Sequence, residues 1–214
     1  MNRELHDLRK SYEKGSVTLA NMHEDPFHQF SLWFKDAETA IEVDEVNAMT
    51  LSTIGTDGFP RGRIVLLKEF TIDGFVFYTN YGSEKGQAIA KHPAVCISFF
   101  WPSLERQISI KGVAEKTSEA HSTAYFNKRP RESKLGALVS DQSELIKDRE
   151  ALDAKLSALK NEYENLDIPK ADNWGGYLIK PTEFEFWQGR QSRLYDRIQY
   201  TKKEDVCIKK RLQP

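Results

Sequence analysis

Two Asp-Gly pairs, Asp57-Gly58 and Asp73-Gly74, divide the region after residue 47 into short segments rich in alternating apolar residues. Asp-Gly between such segments favours the tight turns that join antiparallel neighbours. Residues 48–54, 61–70 and 75–79 therefore read as three strands of an antiparallel meander. Segments 94–101 and 107–116 add two more around a break at Pro102, and 174–187, 194–200 and 206–212 complete the sheet. Helices punctuate the strands. Asp25-Pro26 supplies an N-cap and a first-turn proline, and Phe27, Phe30, Leu32, Trp33, Phe34 and Ala37 give an apolar face as far as Ala40. Ser83 opens a short helix ended by His92-Pro93, and 118–127, 131–139 and 148–164 follow. The last of these carries Leu152, Leu156, Leu159 and Tyr163 on one stripe, a surface helix by its charge. Residues 5–14 read as a short polar helix or arm. The pattern predicts a mainly β chain with flanking helices, its antiparallel sheet closed or partly closed into a barrel.

At 214 residues the chain suffices for one substantial core, and its 11% aromatic content can fill it. A single domain over 26–214 is expected, preceded by a partly mobile N-terminal arm over 1–25. Lys and Arg total 31 against 32 Asp and Glu, so the overall field does not favour nucleic acid and any anion site must be local. No segment approaches the roughly 18 apolar residues of a membrane span, and the N-terminus lacks the apolar run of a secretory signal. A cytoplasmic protein is expected. Cys96 and Cys207 read as reduced thiols, and His6, His23, His28, His92 and His121 lack ligand spacing, so no metal is assigned.

Two segments carry chemistry. In Arg63-Ile64-Val65-Leu66-Leu67-Lys68 an apolar run is closed at each end by a cation; as a regular strand it would aim Arg63 and Lys68 at opposite faces unless it bulges. Glu185-Phe186-Trp187-Gln188-Gly189-Arg190-Gln191-Ser192-Arg193-Leu194-Tyr195-Asp196-Arg197 sets arginines beside an aromatic and a glycine. That composition suits a planar anion, because the guanidinium fork matches phosphate and stacks on rings. It equally suits an exposed edge strand kept soluble by charge.

Together with Phe77-Tyr78-Thr79-Asn80, Glu105-Arg106-Gln107, Tyr125-Phe126-Asn127-Lys128-Arg129-Pro130-Arg131, Val139-Ser140-Asp141-Gln142-Ser143 and the closing Arg211-Leu212-Gln213-Pro214, these segments resemble the pyridoxine/pyridoxamine 5'-phosphate oxidase family from about Leu8 to the C-terminus. The resemblance implies a split antiparallel β-barrel that binds FMN as a homodimer, with the cofactor at the subunit interface. It also implies oxidation of pyridoxamine or pyridoxine 5'-phosphate by molecular oxygen to pyridoxal 5'-phosphate. Hydrogen peroxide would be released, with ammonia from the amine.

By the same similarity Arg63 and Lys85 hold the cofactor phosphate, and Ile64, Val65, Leu66, Leu67 and Lys68 line the flavin. Tyr78, Thr79, Glu84, Gln107, Gln142, Ser143, Trp187 and Arg197 fall at the remaining cofactor positions. Taken alone, Tyr78 and Trp187 read as barrel aromatics and Gln107 and Gln142 as surface amides. Lys68, Tyr125, Arg129 and Ser133 match substrate-phosphate positions. Arg193, Leu194 and Tyr195 match positions over the substrate ring, with Arg193 and Tyr195 catalytic, and Arg9 and Tyr12 match a lid-like contact.

The chain departs from the family twice. Glu84 stands where a second arginine is usual, and an anion 4 Å from phosphate would be repelled by about 1 kcal/mol in water, or about 4 at an effective dielectric of 20. Tyr195 stands for a histidine, and a phenol with an ordinary pKa of about 10 is a poor base at neutral pH. A non-catalytic FMN- or pyridoxal-phosphate-binding split-barrel protein is the alternative these departures suggest; the retained Lys68, Arg129, Ser133 and Arg193 argue for turnover.

Overall fold

The computed structural model describes residues 4–8, 10–203 and 206–214. Its strands are β1 (Ala48–Ile54), β2 (Pro60–Leu66), β3 (Glu69–Thr71), β4 (Gly74–Asn80), β5 (Ala94–Trp101), β6 (Arg106–Lys116), β7 (Trp174–Gln188), β8 (Asp196–Lys203) and β9 (Val206–Leu212). Its helices are α1 (Pro26–Thr39), α2 (Glu84–Lys91), α3 (Glu119–Lys128), α4 (Arg131–Val139) and α5 (Arg149–Glu162), with one 3-10 turn at Gln191–Arg193. Among the described residues the sheet runs β2-β1-β5-β6-β7-β4-β3, with β8 on β7 and β9 on β8. No helix among them is long and apolar enough to cross a membrane.

The meander expectation needs correction. The segment 61–70 is not one strand: β2 ends at Leu66, and β3 begins at Glu69. β4 pairs antiparallel with β3 on one side, Phe70 opposite Phe75, and with β7 on the other, Phe77 opposite Tyr177. The apolar content of β4 explains the distant partner. Phe75, Val76 and Phe77 are buried on both faces of the strand, which is satisfied only in the interior of a sheet. Residues 194 and 195 also precede β8 rather than belonging to it. The described residues 5–8 and 10–14 contain no helix.

Chain contacts define two compact units. The first takes the described residues of Met1–Met49, Ile97–Lys111 and Pro181–Pro214. Its core forms where α1 meets aromatic strand residues: Phe30 packs edge-on against Phe99, with ring centroids 5.3 Å apart, and Trp33 against Phe186, also at 5.3 Å. Asp25 caps α1 through the Phe27 N–H at 3.0 Å, as its Asp-Pro start requires. Leu32 does not join the apolar face and stays 45% exposed; Gln29 is buried there instead, accepting the His23 N–H at 2.8 Å.

The second unit takes Thr50–Cys96 and Gly112–Lys180. Ser83 caps α2 through Gly86, and Ser118 caps α3 through His121. Phe126, Leu135, Ile168 and Trp174 form a buried cluster, against which Leu156, Leu159 and Tyr163 pack. α5 has no buried residue, so its leucine stripe only lids that cluster. The second residue of β7 is Gly175, where any Cβ would lie 2.2 Å from the Tyr81 hydroxyl; that close approach is why glycine stands there.

Candidate active site

The second unit gathers a cationic, aromatic-walled cavity of about 270 Å³. Ile64, Val65, Leu66 and Lys68 supply one wall, Tyr78 and Thr79 of β4 another, and Lys85 of α2, Tyr125 and Arg129 close it with Gln142 and Trp174. β2 ends after Leu66, so Lys68, whose N–H donates to the Val76 carbonyl at 2.8 Å, lies outside the alternation of β2 and lines the cavity, whereas Arg63 does not. A neighbouring cavity of about 350 Å³ shares Tyr78, Thr79, Arg129, Gln142 and Trp174 and adds Asn80, Ser133 and Ser140.

Among the described residues no carboxylate lines either cavity, while Lys68, Lys85 and Arg129 do. Lys85 Nζ donates to Gln142 Oε1 at 3.0 Å and to Ser83 Oγ at 3.3 Å, and Gln142 Oε1 also accepts from Thr79 Oγ1 at 3.3 Å. Burial, with the neighbouring Arg63 cation, lowers the Lys85 pKa. Arg63 lines neither cavity: its Nη1 donates to Thr53 Oγ1 at 2.7 Å and to the carbonyls of Arg61 and Leu51. Leu67 is buried and outside both linings.

Arg129 is the sharpest feature. Its guanidinium lies over the Trp174 ring, 4.6 Å from the centroid, and its Nη1 is buried without a hydrogen-bond partner among the described residues. A buried donor left unpaired costs about 1–3 kcal/mol, so an acceptor placed there would be favoured. Flat rings stand alongside. Tyr78 stacks on Tyr125 at 3.9 Å and on Trp174 at 5.4 Å. Burial, helped by Glu69, pushes the Tyr78 phenol up to about 12, so it remains a neutral donor. Cations beside stacked rings fit a phosphorylated aromatic, which FMN and a pyridoxine phosphate both are.

Glu84 is paired with a base. Its carboxylate forms an ion pair with Arg61, which also holds Asp57 at 2.6 Å, and its N–H donates to Ser143 Oγ at 3.2 Å. Arg61 thus divides one positive charge between two carboxylates, and Glu84 is engaged on its own side of α2 without being fully neutralised. Because both partners are partly exposed, the pair contributes no more than about 1 kcal/mol. Glu84→Gln is therefore expected to change the FMN dissociation constant less than about fivefold by titration of apoprotein. A larger change would mean that the Glu84 charge acts on the phosphate itself.

The first unit assembles the other expected residues. Tyr12, Trp187 and Tyr195 form an aromatic triangle: Trp187 to Tyr195 is 4.8 Å, Tyr12 to Trp187 5.7 Å and Tyr12 to Tyr195 6.0 Å. Arg193 and Tyr195 line a cavity of about 350 Å³ with Tyr12, and Leu194 lines a second of about 440 Å³, also with Tyr12. Arg193 is exposed and has no ion pair among the described residues. Its backbone, like that of Ser192, is left-handed, with φ of 60° and 56°. Arg197 is chelated by Glu185, Nε and Nη2 donating at 2.8 and 3.0 Å, and its Nη1 reaches the Gln213 carbonyl. That hydrogen bonding raises its pKa. Gln107 donates to Ser109 Oγ at 3.2 Å. Arg9 lies outside the described residues.

Residues 35–162 match the protein family described as pyridoxamine 5'-phosphate oxidase, and residues 174–214 match the pyridoxine 5'-phosphate oxidase C-terminal dimerisation region. The chain belongs to the pyridoxine/pyridoxamine 5'-phosphate oxidase family. It is 55% identical to the pyridoxine/pyridoxamine 5'-phosphate oxidase of Flavobacterium johnsoniae over 94% of both chains. It is 53% identical to that of Flavobacterium psychrophilum, covering 99% of this chain and 100% of the relative. Among solved structures, PhzG from Burkholderia lata in complex with tetrahydrophenazine-1-carboxylic acid superposes with a TM-score of 0.85 at 26% identity, over 94% of this chain and 100% of that one. A pyridoxamine 5'-phosphate oxidase-related, FMN binding protein from Nostoc punctiforme gives 0.69 at 15% identity, over 90% and 100%. These structures bear out the fold class expected from sequence, the antiparallel split β-barrel with flanking helices.

Sequence reasoning missed three residues with evident parts here. Trp174 lines both cavities and carries Arg129, yet reads in the sequence only as the start of a strand. Arg61 is the partner of Glu84, and Glu105 is a buried carboxylate in the first unit. A tryptophan directly before two glycines was the one available signal: the glycines let backbone approach closely, and the ring fixes the surface beside it.

Proposed function

We propose that this family member oxidises pyridoxamine or pyridoxine 5'-phosphate to pyridoxal 5'-phosphate with FMN as cofactor. The observation that carries this reading is the buried, unpartnered Nη1 of Arg129 in a cavity lined by Lys68, Lys85 and stacked aromatic rings and free of carboxylates. When bound, FMN accepts two electrons from the substrate's amine- or alcohol-bearing carbon and passes them to molecular oxygen, giving hydrogen peroxide.

The chain's own groups bind and orient. Lys85 and Arg63 hold the cofactor phosphate, with Ser143 and Glu84 at its margin, and Ile64, Val65, Leu66, Leu67, Tyr78, Thr79 and Gln142 flank the flavin together with Gln107, Trp187 and Arg197. Lys68, Arg129, Tyr125 and Ser133 hold the substrate phosphate. Arg193 orients the substrate ring, Tyr195 and Leu194 pack beside it, and Tyr12, with Arg9, covers it. Fixing both reactants removes much of the entropic part of the barrier, the contribution a protein makes when a cofactor carries the hard chemistry. The family's C-terminal dimerisation region supports a homodimer; FMN at the subunit interface is part of the same proposal. No partner beyond the second copy, the substrate and oxygen is required, and the reaction suits the cytoplasm.

The test is direct. FMN-loaded protein mixed anaerobically with pyridoxamine 5'-phosphate is expected to lose its yellow absorbance and regain it on admitting air. Protein that stays yellow would instead be a non-catalytic flavin-binding module.

A further inference from the structure

Glu105 is only 2% exposed, and its backbone is left-handed at φ 55°, a conformation that disfavours any residue with a Cβ. A glutamate at such a position calls for a reason in its side chain. Its Oε2 accepts the N–H groups of both Glu13 and Lys14, at 2.7 and 2.9 Å, and its Oε1 faces Lys10 Nζ at 3.8 Å. Hydrogen bonds to an ionised acceptor are roughly twice as strong as neutral ones, so this carboxylate is a firm clamp on the N-terminal segment. Its main-chain carbonyl accepts from Gly189 at 2.7 Å and from Gln188 Nε2 at 3.2 Å.

The clamped residues directly follow Tyr12, which stands edge-on to Trp187 at 89° and near Tyr195. Glu105 itself lines neither cavity in which Tyr12 takes part. The fit is close: a Cβ on Gly189 would lie 2.7 Å from Tyr12 Cγ and 2.8 Å from its Cβ. One residue thus fixes the segment bearing Tyr12 and the turn leading to Arg193.

We infer that Glu105 is a positioning residue for substrate binding, acting through Tyr12. Its carboxylate sets Tyr12 against Tyr195 and Trp187 beside Arg193. The inference rests on the proposed roles of Arg193 and Tyr195 in the reaction.

In the holoenzyme, Glu105→Gln is expected to speed amide exchange at Glu13 and Lys14 and to raise the KM for pyridoxamine 5'-phosphate about tenfold, the weakening of a charge-assisted hydrogen bond. Turnover should stay within about threefold, since nothing that touches the reacting atoms is removed. In a Tyr12→Ala background the same substitution should add little, because its effect passes through a ring no longer present. An equal KM rise in both backgrounds, or unchanged exchange at Glu13 and Lys14, overturns the inference. Should Glu105→Gln fail to fold, Glu105→Asp, which keeps the charge but shortens its reach to the Glu13 and Lys14 N–H groups, replaces it in the cycle, where additivity with Tyr12→Ala is again the refuting result. A wild type that leaves the substrate unoxidised would sink the functional reading instead, and exchange would still decide whether the clamp exists.

Discussion

Arg193→Ala is expected to lower turnover about a hundredfold while Tyr195→Phe stays within about tenfold, measured by pyridoxal 5'-phosphate formation at pH 7. The asymmetry follows from what each group can do. Arg193 is a permanent cation held in a left-handed turn with Ser192, a conformation costing about 1–3 kcal/mol per residue that local structure must offset. Strain maintained at two adjacent non-glycine residues fixes where the guanidinium starts, and a misplacement of about 1 Å in an orienting group can cost a hundredfold. Tyr195 packs on Trp187 at 4.8 Å, so phenylalanine would preserve the contact and lose only a hydroxyl. If Tyr195→Phe abolishes turnover while Arg193→Ala is tolerated, the two roles are reversed.

Arg129→Ala is expected to raise the KM for pyridoxamine 5'-phosphate about ten- to a hundredfold, since a buried charge-assisted hydrogen bond is worth roughly 1.5–3 kcal/mol. FMN content should change little. Burial lowers the Arg129 pKa, but a guanidinium has ample margin and stays charged at neutral pH, so its Nη1 remains a donor in search of an acceptor. Trp174→Leu should shift KM in the same direction but less, because it leaves the guanidinium in place and removes about 0.5–2 kcal/mol of cation–π attraction; its loss from the core with Phe126 should appear separately as a lower Tm. Unphosphorylated pyridoxine should be a poor substrate for the wild type, and Arg129→Ala should narrow that discrimination. Equal handling of phosphorylated and free forms by the wild type would show that Lys68, Tyr125, Arg129 and Ser133 are no phosphate site.

Much of this was legible in the sequence where the cause is local. The Asp-Gly turns appear with Gly58 and Gly74 at φ of 86° and 144°, Ser83 and Asp25 cap the helices that follow them, and β5, α4 and β9 have the bounds their residues predict. Family, fold class and FMN were readable because motifs survive along the whole chain. What could not be read depends on residues far apart. Nothing near residue 77 announces that β4 lies between β3 and β7, and nothing near Glu84 says that Arg61 answers its charge. The left-handed residues were equally hidden: Glu105, Ser143, Ser192 and Arg193 carry side chains where local propensity would place glycine. Such positions are where tertiary contacts overrule local preference.

The placement of β4 also governs how the molecule must be made. Phe75 pairs with Ile179 and Asn80 with Trp174, so this strand, buried on both faces, waits for about a hundred further residues before its second neighbour exists. At roughly 5–20 residues per second of synthesis that is an interval of several seconds or more. During it only the short β3 can shield one edge, while Phe75-Val76-Phe77-Tyr78 is the kind of uncharged, aromatic segment that seeds intermolecular pairing. The strand that supplies Tyr78 and Thr79 to the cavity is therefore open to intermolecular pairing on the ribosome until β7 emerges.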